Sequence, residues 1–290
     1  MRGRNMGRLL IIAAVLNCQA LTAMEWPLPE AALVRNFGYN DRGRPILGIV
    51  FEGEGEVQAA DRGELIFSRS GADKASRLPS PLGAWSAVDH GDGLISIYGR
   101  YQDEGRKDQP SAVSQGTPIA TAGRSGWSGR DGVYFQLYDR RERRWVNASV
   151  VISPLPDNVP PQIMGLQLIS ANGRTVDSAQ LRNISQGRYA ITVNAVDTFV
   201  ARGVQLAPHR IDCFVNGEEA GALSFETISA RDGVLMANRN GLVPSRQVYG
   251  RSPAFEVGEL HFNRGLAILE IIVRDVAGNS RSSITRMLVE

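Results

Sequence analysis

The sequence predicts an all-β protein built in two parts, and three observations carry that expectation. Apolar residues recur in short alternating or continuous stretches, and no sustained helical period appears. The 31 glycines fall mostly between those stretches, where turns need them. The segment SPLPDNVPP at 153–161 crowds four prolines into nine residues. Proline lacks the N–H that a β-ladder requires, so this segment reads as an extended linker.

At 290 residues the chain is long enough for two domains. Apolar residues make up 43% and charged residues 21%, which is ordinary globular composition and excludes wholesale disorder. The formal charge of +2 gathers at the front. Arg2, Arg4 and Arg8 precede the apolar run Leu9 to Leu16, with no acid among residues 1–23. The remainder is close to neutral, which argues against nucleic acid as a partner.

Read in order, residues 1–23 have the basic, apolar and small-residue regions of a secretory signal. Cys18 leaves a lipid anchor open as an alternative. The apolar run is too short for a transmembrane span, so none is expected in the mature chain. If Cys18 leaves with the signal, Cys213 stays alone and forms no internal disulfide. Its setting, RIDCFVNG, reads as a strand, so a buried inert thiol is expected. Export places the protein in the periplasm or cell envelope.

Residues 24–152 then present ILGIVF, GELIFS, GLISIYGRY, GVYFQLYD and WVNASVVI as strands. The polar segment 103–112 reads as a surface loop. Residues 162–290 contribute RYAITVNAV and LAILEIIVRDV among about seven or eight expected strands. Asn216-Gly217 signals a hairpin turn, Asp275, Gly278 and Asn279 fit a second turn, and the tract 229–252 reads as a less regular insertion.

Four segments of the first part carry a resemblance: FGYNDRGRPILGI, EVQAADRGELIF, WSAVDHGDGLISIYGRY and VSQGTPIATAGRSGWSGRDGVYFQLYD. Their glycines and apolar positions, spanning 37–137, resemble the lysostaphin/LytM-type zinc peptidases that cut peptidoglycan cross-bridges. The resemblance implies a β-sheet core domain with a long peptide-binding groove. The second part resembles an Ig-like β-sandwich, through VRDVAGN and its alternating strands.

The family's chemistry does not carry over. Its His-x-x-x-Asp ligand motif falls on Ile46 and Val50, the histidine after its Tyr-x pair on Arg100, and its closing His-x-His on Gly132 and Tyr134. A catalytic zinc needs three protein ligands. Isoleucine and valine offer no lone pair, and arginine is a permanent cation. His90 is the single histidine of this part, and His209 and His261 lie in the second. No metal and no cofactor is expected. A Ser96, His90 and Asp92 set lacks the strand-to-helix context of a nucleophile. Asp197 and Asp275, at strand ends, read as turn formers before calcium ligands.

An empty groove can still bind. The resemblance places Arg100, Tyr134 and Gln136 on its floor, where a carboxylate-bearing stem peptide would meet them. Trp127, in a Gly/Ser turn, is a candidate anchor. The expected role is non-catalytic: binding peptidoglycan, or regulating a cell-wall hydrolase such as an amidase. Two alternatives stand beside it. One is an active zinc endopeptidase with a displaced metal site. The other is a structural or adhesive envelope scaffold.

Overall fold

The structure is a computed structural model that describes residues 23–70, 79–102, 111–153, 155–177, 180–199, 203–250 and 254–290. The expected signal segment, with Cys18, lies outside the described residues, as does most of the expected loop 103–112. Among the described residues no helix is long and apolar enough to cross a membrane. The fold is all-β, as the apolar alternation predicts.

The first part runs β1 (Ala32–Arg35), β2 (Asn40–Asp41), β3 (Arg44–Pro45), β4 (Ile49–Glu52), β5 (Glu56–Gln58) and β6 (Gly63–Arg69). It continues with β7 (Ala84–Asp89), β8 (Leu94–Tyr101), β9 (Ala112–Val113), β10 (Pro118–Thr121), β11 (Gly132–Asp139) and β12 (Arg144–Val146). Antiparallel pairing gives the order β9-β6-β7-β8-β11. The far edge of β11 is shared: β4 takes its first half and β12 its second. Side chains alternate across β11. Val133, Phe135 and Leu137 enter a core with Ile49, Phe51 and Tyr98, which leaves Gly132, Tyr134 and Gln136 to the opposite face.

The second part runs β13 (Gln162–Ser170), β14 (Thr175–Asp177), β15 (Asn183–Ile184), β16 (Gly187–Phe199), β17 (Val204–Leu206) and β18 (Arg210–Val215). It ends with β19 (Glu218–Arg231), β20 (Val234–Arg239), β21 (Leu242–Pro244), β22 (Ala254–Phe262), β23 (Gly265–Arg274) and β24 (Ser280–Val289). Two sheets form a sandwich. One contains β24-β23-β18-β19, the other β14-β13-β16 with β22 and β17. Ile211, Cys213, Leu223, Leu269 and Ile271 of the first face Leu168, Ile191, Val193, Phe255 and Val257 of the second. Cys213 is buried, and burial pushes its thiol up to about 12, so it stays protonated and inert.

The described strands of this part outnumber the seven or eight expected. The tract 229–252 is also more regular than expected. It closes β19 onto β20 and β20 onto β21. Asp232 and Gly233 both take positive φ (50° and 76°), the geometry of a tight hairpin turn. An Asp-Gly pair was the available signal. Asn216 and Gly217 make the same turn, with φ of 52° and 86°.

Sequence patterning did not show that the two parts share one sheet. β12 pairs antiparallel with β19, Trp145 opposite Ile228. The 3-10 turn at Ala148–Val150 begins at Asn147, whose side chain accepts from the Ser149 N–H. Asn147 also donates its side-chain amide to the Phe225 carbonyl and its backbone N–H to Glu226. The β2–β3 hairpin reaches across as well. Asn36 exchanges two hydrogen bonds with the backbone of Ala207, each 2.8 Å. Asn40, buried, donates to the carbonyls of Gly250 and Ala254. Buried amides with complete hydrogen bonding fix geometry, so the linker joins parts that are also bonded directly.

Candidate functional site

A cleft of about 620 Å³ opens where β4, β8 and β11 meet the 127–130 turn. Val34, Val50 and Arg100 line it from the sheet, Ile46 from the connection between β3 and β4, and Trp127 and Arg130 from the turn. Arg35 of β1 and Val204 of β17 also line it, so the second part supplies a piece of wall.

Local geometry explains how Arg100 arrives there. On β8, Tyr98 points into the core and so does Tyr101, which strict alternation forbids. The pairing with β7 slips at this point: Trp85 opposes Gly99, and Ala84 opposes Tyr101. Arg100 is therefore the extra residue of a β-bulge, a device that re-aims a side chain. Its φ of 68° lies in the left-handed region, where a long L-side chain is strained. Its N–H donates to the Leu82 carbonyl at 2.6 Å.

The guanidinium comes to rest 5.1 Å above the Tyr134 ring, a cation–π geometry. Burial lowers its pKa from the ordinary arginine value, yet it keeps its charge at neutral pH. Tyr134 is only 8% exposed. Its ring passes under Gly48, where an added Cβ would overlap the Phe135 carbonyl and crowd the phenol. Its hydroxyl donates to Gln136 Oε1 at 3.1 Å, and burial pushes its pKa up.

The groove floor differs from expectation at two positions. Tyr134 is buried beneath Arg100 and does not itself line the cleft. Gln136 is buried, bonded to Tyr134, and not among the cleft's lining residues. It holds Tyr134 from the next position on the same face of β11, by accepting that hydrogen bond. Trp127 stands at the rim, 73% exposed.

The zinc chemistry that the resemblance implies does not fit these residues. Ile46 and Val50 supply no donor, and Arg100 is a cation. The phenol of Tyr134 is held protonated by burial. Gly132 has no side chain and no space for one, since a Cβ there would overlap the Phe51 carbonyl oxygen. Of the acids lining the cleft, Glu52 is engaged by Arg130 at 2.9 Å. Among the described residues, no three metal-ligating side chains converge in the cleft.

The three histidines lie elsewhere. His90 does approach Ser96, with Nε2 2.7 Å from Oγ. This is no nucleophile and base. Ser96 is fully buried and donates to the Tyr98 hydroxyl, which in turn accepts from the Ala60 N–H. His90 Nδ1 meets the Arg62 carbonyl, and Asp92 points to solvent and Arg141. The set is a satisfied structural network. His209 lies 3.7 Å from Glu226, and His261 on β22.

Asp197 and Asp275 do come together, joined by Asp157 from the linker, with carboxylate oxygens within 4.8 Å of one another. Sequence reasoning missed Asp157 because it is 40 residues from its nearer partner. Each of the three accepts a nearby backbone N–H, from Val159, Thr198 and Asn279. They act as turn formers at one junction. Burial, then the charges of Asp275 and Asp157, push Asp197 up to about 7.

Residues 45–148 match the family model described as Peptidase family M23, and the chain carries an M23 domain there. A separate family model matches residues 160–290. The chain is 25% identical to a mutant catalytic domain of the prophage-encoded M23 protein EnpA from Enterococcus faecalis, covering 37% of this chain and 81% of that one, with a TM-score of 0.30. It is 17% identical to the catalytic domain of lysostaphin from Staphylococcus simulans, covering 39% and 84%, with a TM-score of 0.32. Against the SpoIIQ–SpoIIIAH pore-forming complex the values are 18% identity, 45% and 90% coverage and a TM-score of 0.35. No curated protein matches the chain.

Proposed function

We propose that this is a non-catalytic protein of the bacterial envelope whose metal-free M23 cleft binds the peptide portion of peptidoglycan. One observation carries the reading. The positions that would hold and use zinc are Ile46, Val50, Arg100, Gly132 and Tyr134, and Gly132 has no room for a side chain. The cleft itself persists at a size suited to a short extended peptide. The N-terminal sequence, basic and then apolar, supports export. The second part is read as an Ig-like module that orients the cleft, and Val204 contributes to its wall.

The test is co-sedimentation of the purified protein with sacculi, with the supernatant assayed for released muropeptides. Binding without release is expected. Release abolished by a chelator would overturn the reading in favour of a zinc endopeptidase. A regulatory segment of a cell-wall hydrolase is the alternative occupant. It predicts no sacculus binding but a change in amidase activity when the protein is added. A pure scaffold predicts neither effect.

A further inference from the structure

We propose that Arg100 is the receptor for the terminal carboxylate of a bound peptide, and that the aliphatic wall around it holds the small apolar residue bearing that carboxylate. The proposal rests on the cleft reading above and names the chemistry of its ligand.

Arg100 is held in place but not neutralised. A β-bulge and a left-handed φ turn it out of the core. Tyr134, itself pinned to Gln136, supports the guanidinium from below. Among the described residues no carboxylate pairs with it, and its Nε is buried without a hydrogen-bond partner. The neighbouring arginines are engaged: Arg130 with Glu52, Arg124 with Asp131, and Arg35 with the Tyr39 ring and the Val34 carbonyl. Removing a charge from water without a partner is unfavourable. A strained bulge that maintains such a charge at the floor of a cleft points to an anion from outside.

The shape of the group selects the anion. A guanidinium presents a planar fork of donors, and a carboxylate accepts two of them in parallel. Four branched residues, Val34, Ile46, Val50 and Val204, line the same cleft. They favour a carboxylate whose neighbouring group is a methyl or similar over one reached through a polar chain end. A C-terminal alanine-like residue meets both demands. Exposed Trp127 at the rim is placed to cover the preceding residues.

Isothermal titration tests this with three short peptides: acetyl-trialanine as the free acid, the same peptide as its C-terminal amide, and an amidated peptide with a central glutamate. The acid should bind at least tenfold more tightly than either other peptide, the scale of a charge-assisted pair. Arg100→Met should remove that preference while the protein stays folded with a cooperative melt close to that of the wild type, and Arg100→Lys should retain part of it. Equal binding of acid and amide overturns the proposal, as does equal binding of the glutamate peptide or no heat from any peptide at millimolar concentration. Sacculus binding separates the two readings. If Arg100→Met sediments with sacculi like the wild type, the envelope reading stands and the carboxylate receptor falls. If the wild type prefers the acid yet ignores sacculi, the reverse holds.

Discussion

Ser96 and Arg100 sit four residues apart on β8 and have opposite fates. Ser96 is fully buried, and every group near it is satisfied. It bonds to Tyr98 and His90, and the Tyr98 hydroxyl also accepts the Ala60 N–H. Arg100 is half-buried, and its Nε finds nothing. Folding tolerates a buried polar group when its hydrogen bonds are complete. The core side of β8 obeys that rule and the cleft side breaks it. The second part repeats the contrast. Asp212, nearly fully buried, is paired with both Arg210 and Arg274. Asp197 is almost as buried and faces two other acids. Satisfied groups explain the fold, and unsatisfied ones mark where to look for something else.

The sharpest way to break the contrast is to force the cleft back toward zinc chemistry. Gly132→His adds a side chain where the Phe51 carbonyl already stands. Backbone cannot yield as a flexible side chain would, so we expect a loss of about 3 kcal/mol or more. No zinc should be gained, even combined with Ile46→His and Val50→Asp. Urea unfolding and metal analysis of the purified variants check this. A stable variant holding one equivalent of zinc would refute our account of the site.

Asp197 supplies the next effect. Its carboxyl is pushed up from 3.8 to about 7 in the fold. The folded state therefore binds more protons than the unfolded one between those values, and stability falls as pH rises through that window. The fall is on the order of 3 kcal/mol. Asp197→Asn should flatten the slope between pH 4 and pH 7, and Asp157→Asn should shrink it by removing one facing charge. His209 and Arg210 lie near the same junction and should leave the sign unchanged. Thermal midpoints across pH decide the matter, and a slope unaltered in Asp197→Asn would show that another group carries it.

A smaller effect separates the two sides of β8. Tyr98→Phe leaves the buried Ala60 N–H and Ser96 hydroxyl without their shared acceptor, which costs about 1–3 kcal/mol. Arg100→Met removes a half-buried charge that has no carboxylate partner and loses only its cation–π contact with Tyr134, so its stability should lie within about 1 kcal/mol of the wild type. If the two variants were destabilised alike, Arg100 would have a structural partner and the comparison would collapse.

Much of this was legible in residues. The strands of the first part follow from ILGIVF, GLISIYGRY and GVYFQLYD, because a two-residue alternation has one folded solution beside a core. At Ile46 and Val50 the lack of a metal donor is a matter of residue identity, since neither side chain has one in any fold. Three features were not legible, each for a physical reason. Alternation tells which face a residue takes but not which strand lies beside it, so the β12–β19 join was hidden. A bulge depends on a mismatch between two strands, so the left-handed turn at Arg100 was hidden, although the resemblance had placed the residue on the groove floor. Asp157 meets Asp197 and Asp275 through the path of the linker, and sequence distance conceals such meetings. Gln136 shows the same limit on a small scale: its face was inferable, but its cover was not.

Trp127 gives the finest test, because fold and function should part there completely. The ring is 73% exposed and lies among Gly126, Ser128 and Gly129 in the turn. The turn is held by other groups: the Trp127 N–H to the Pro81 carbonyl, Arg124 to Asp131, and Arg130 to Glu52. Trp127→Ala should therefore change stability by less than about 0.5 kcal/mol, as surface substitutions do. An exposed aromatic at the rim of a cleft is, however, the kind of residue that carries binding energy. The same variant should lose severalfold in affinity for the acetyl-trialanine acid while keeping the preference of acid over amide, because Arg100 sets that preference and Trp127 only covers the chain. Loss of the preference itself would mean that the turn, and not the bulge on β8, positions the charge.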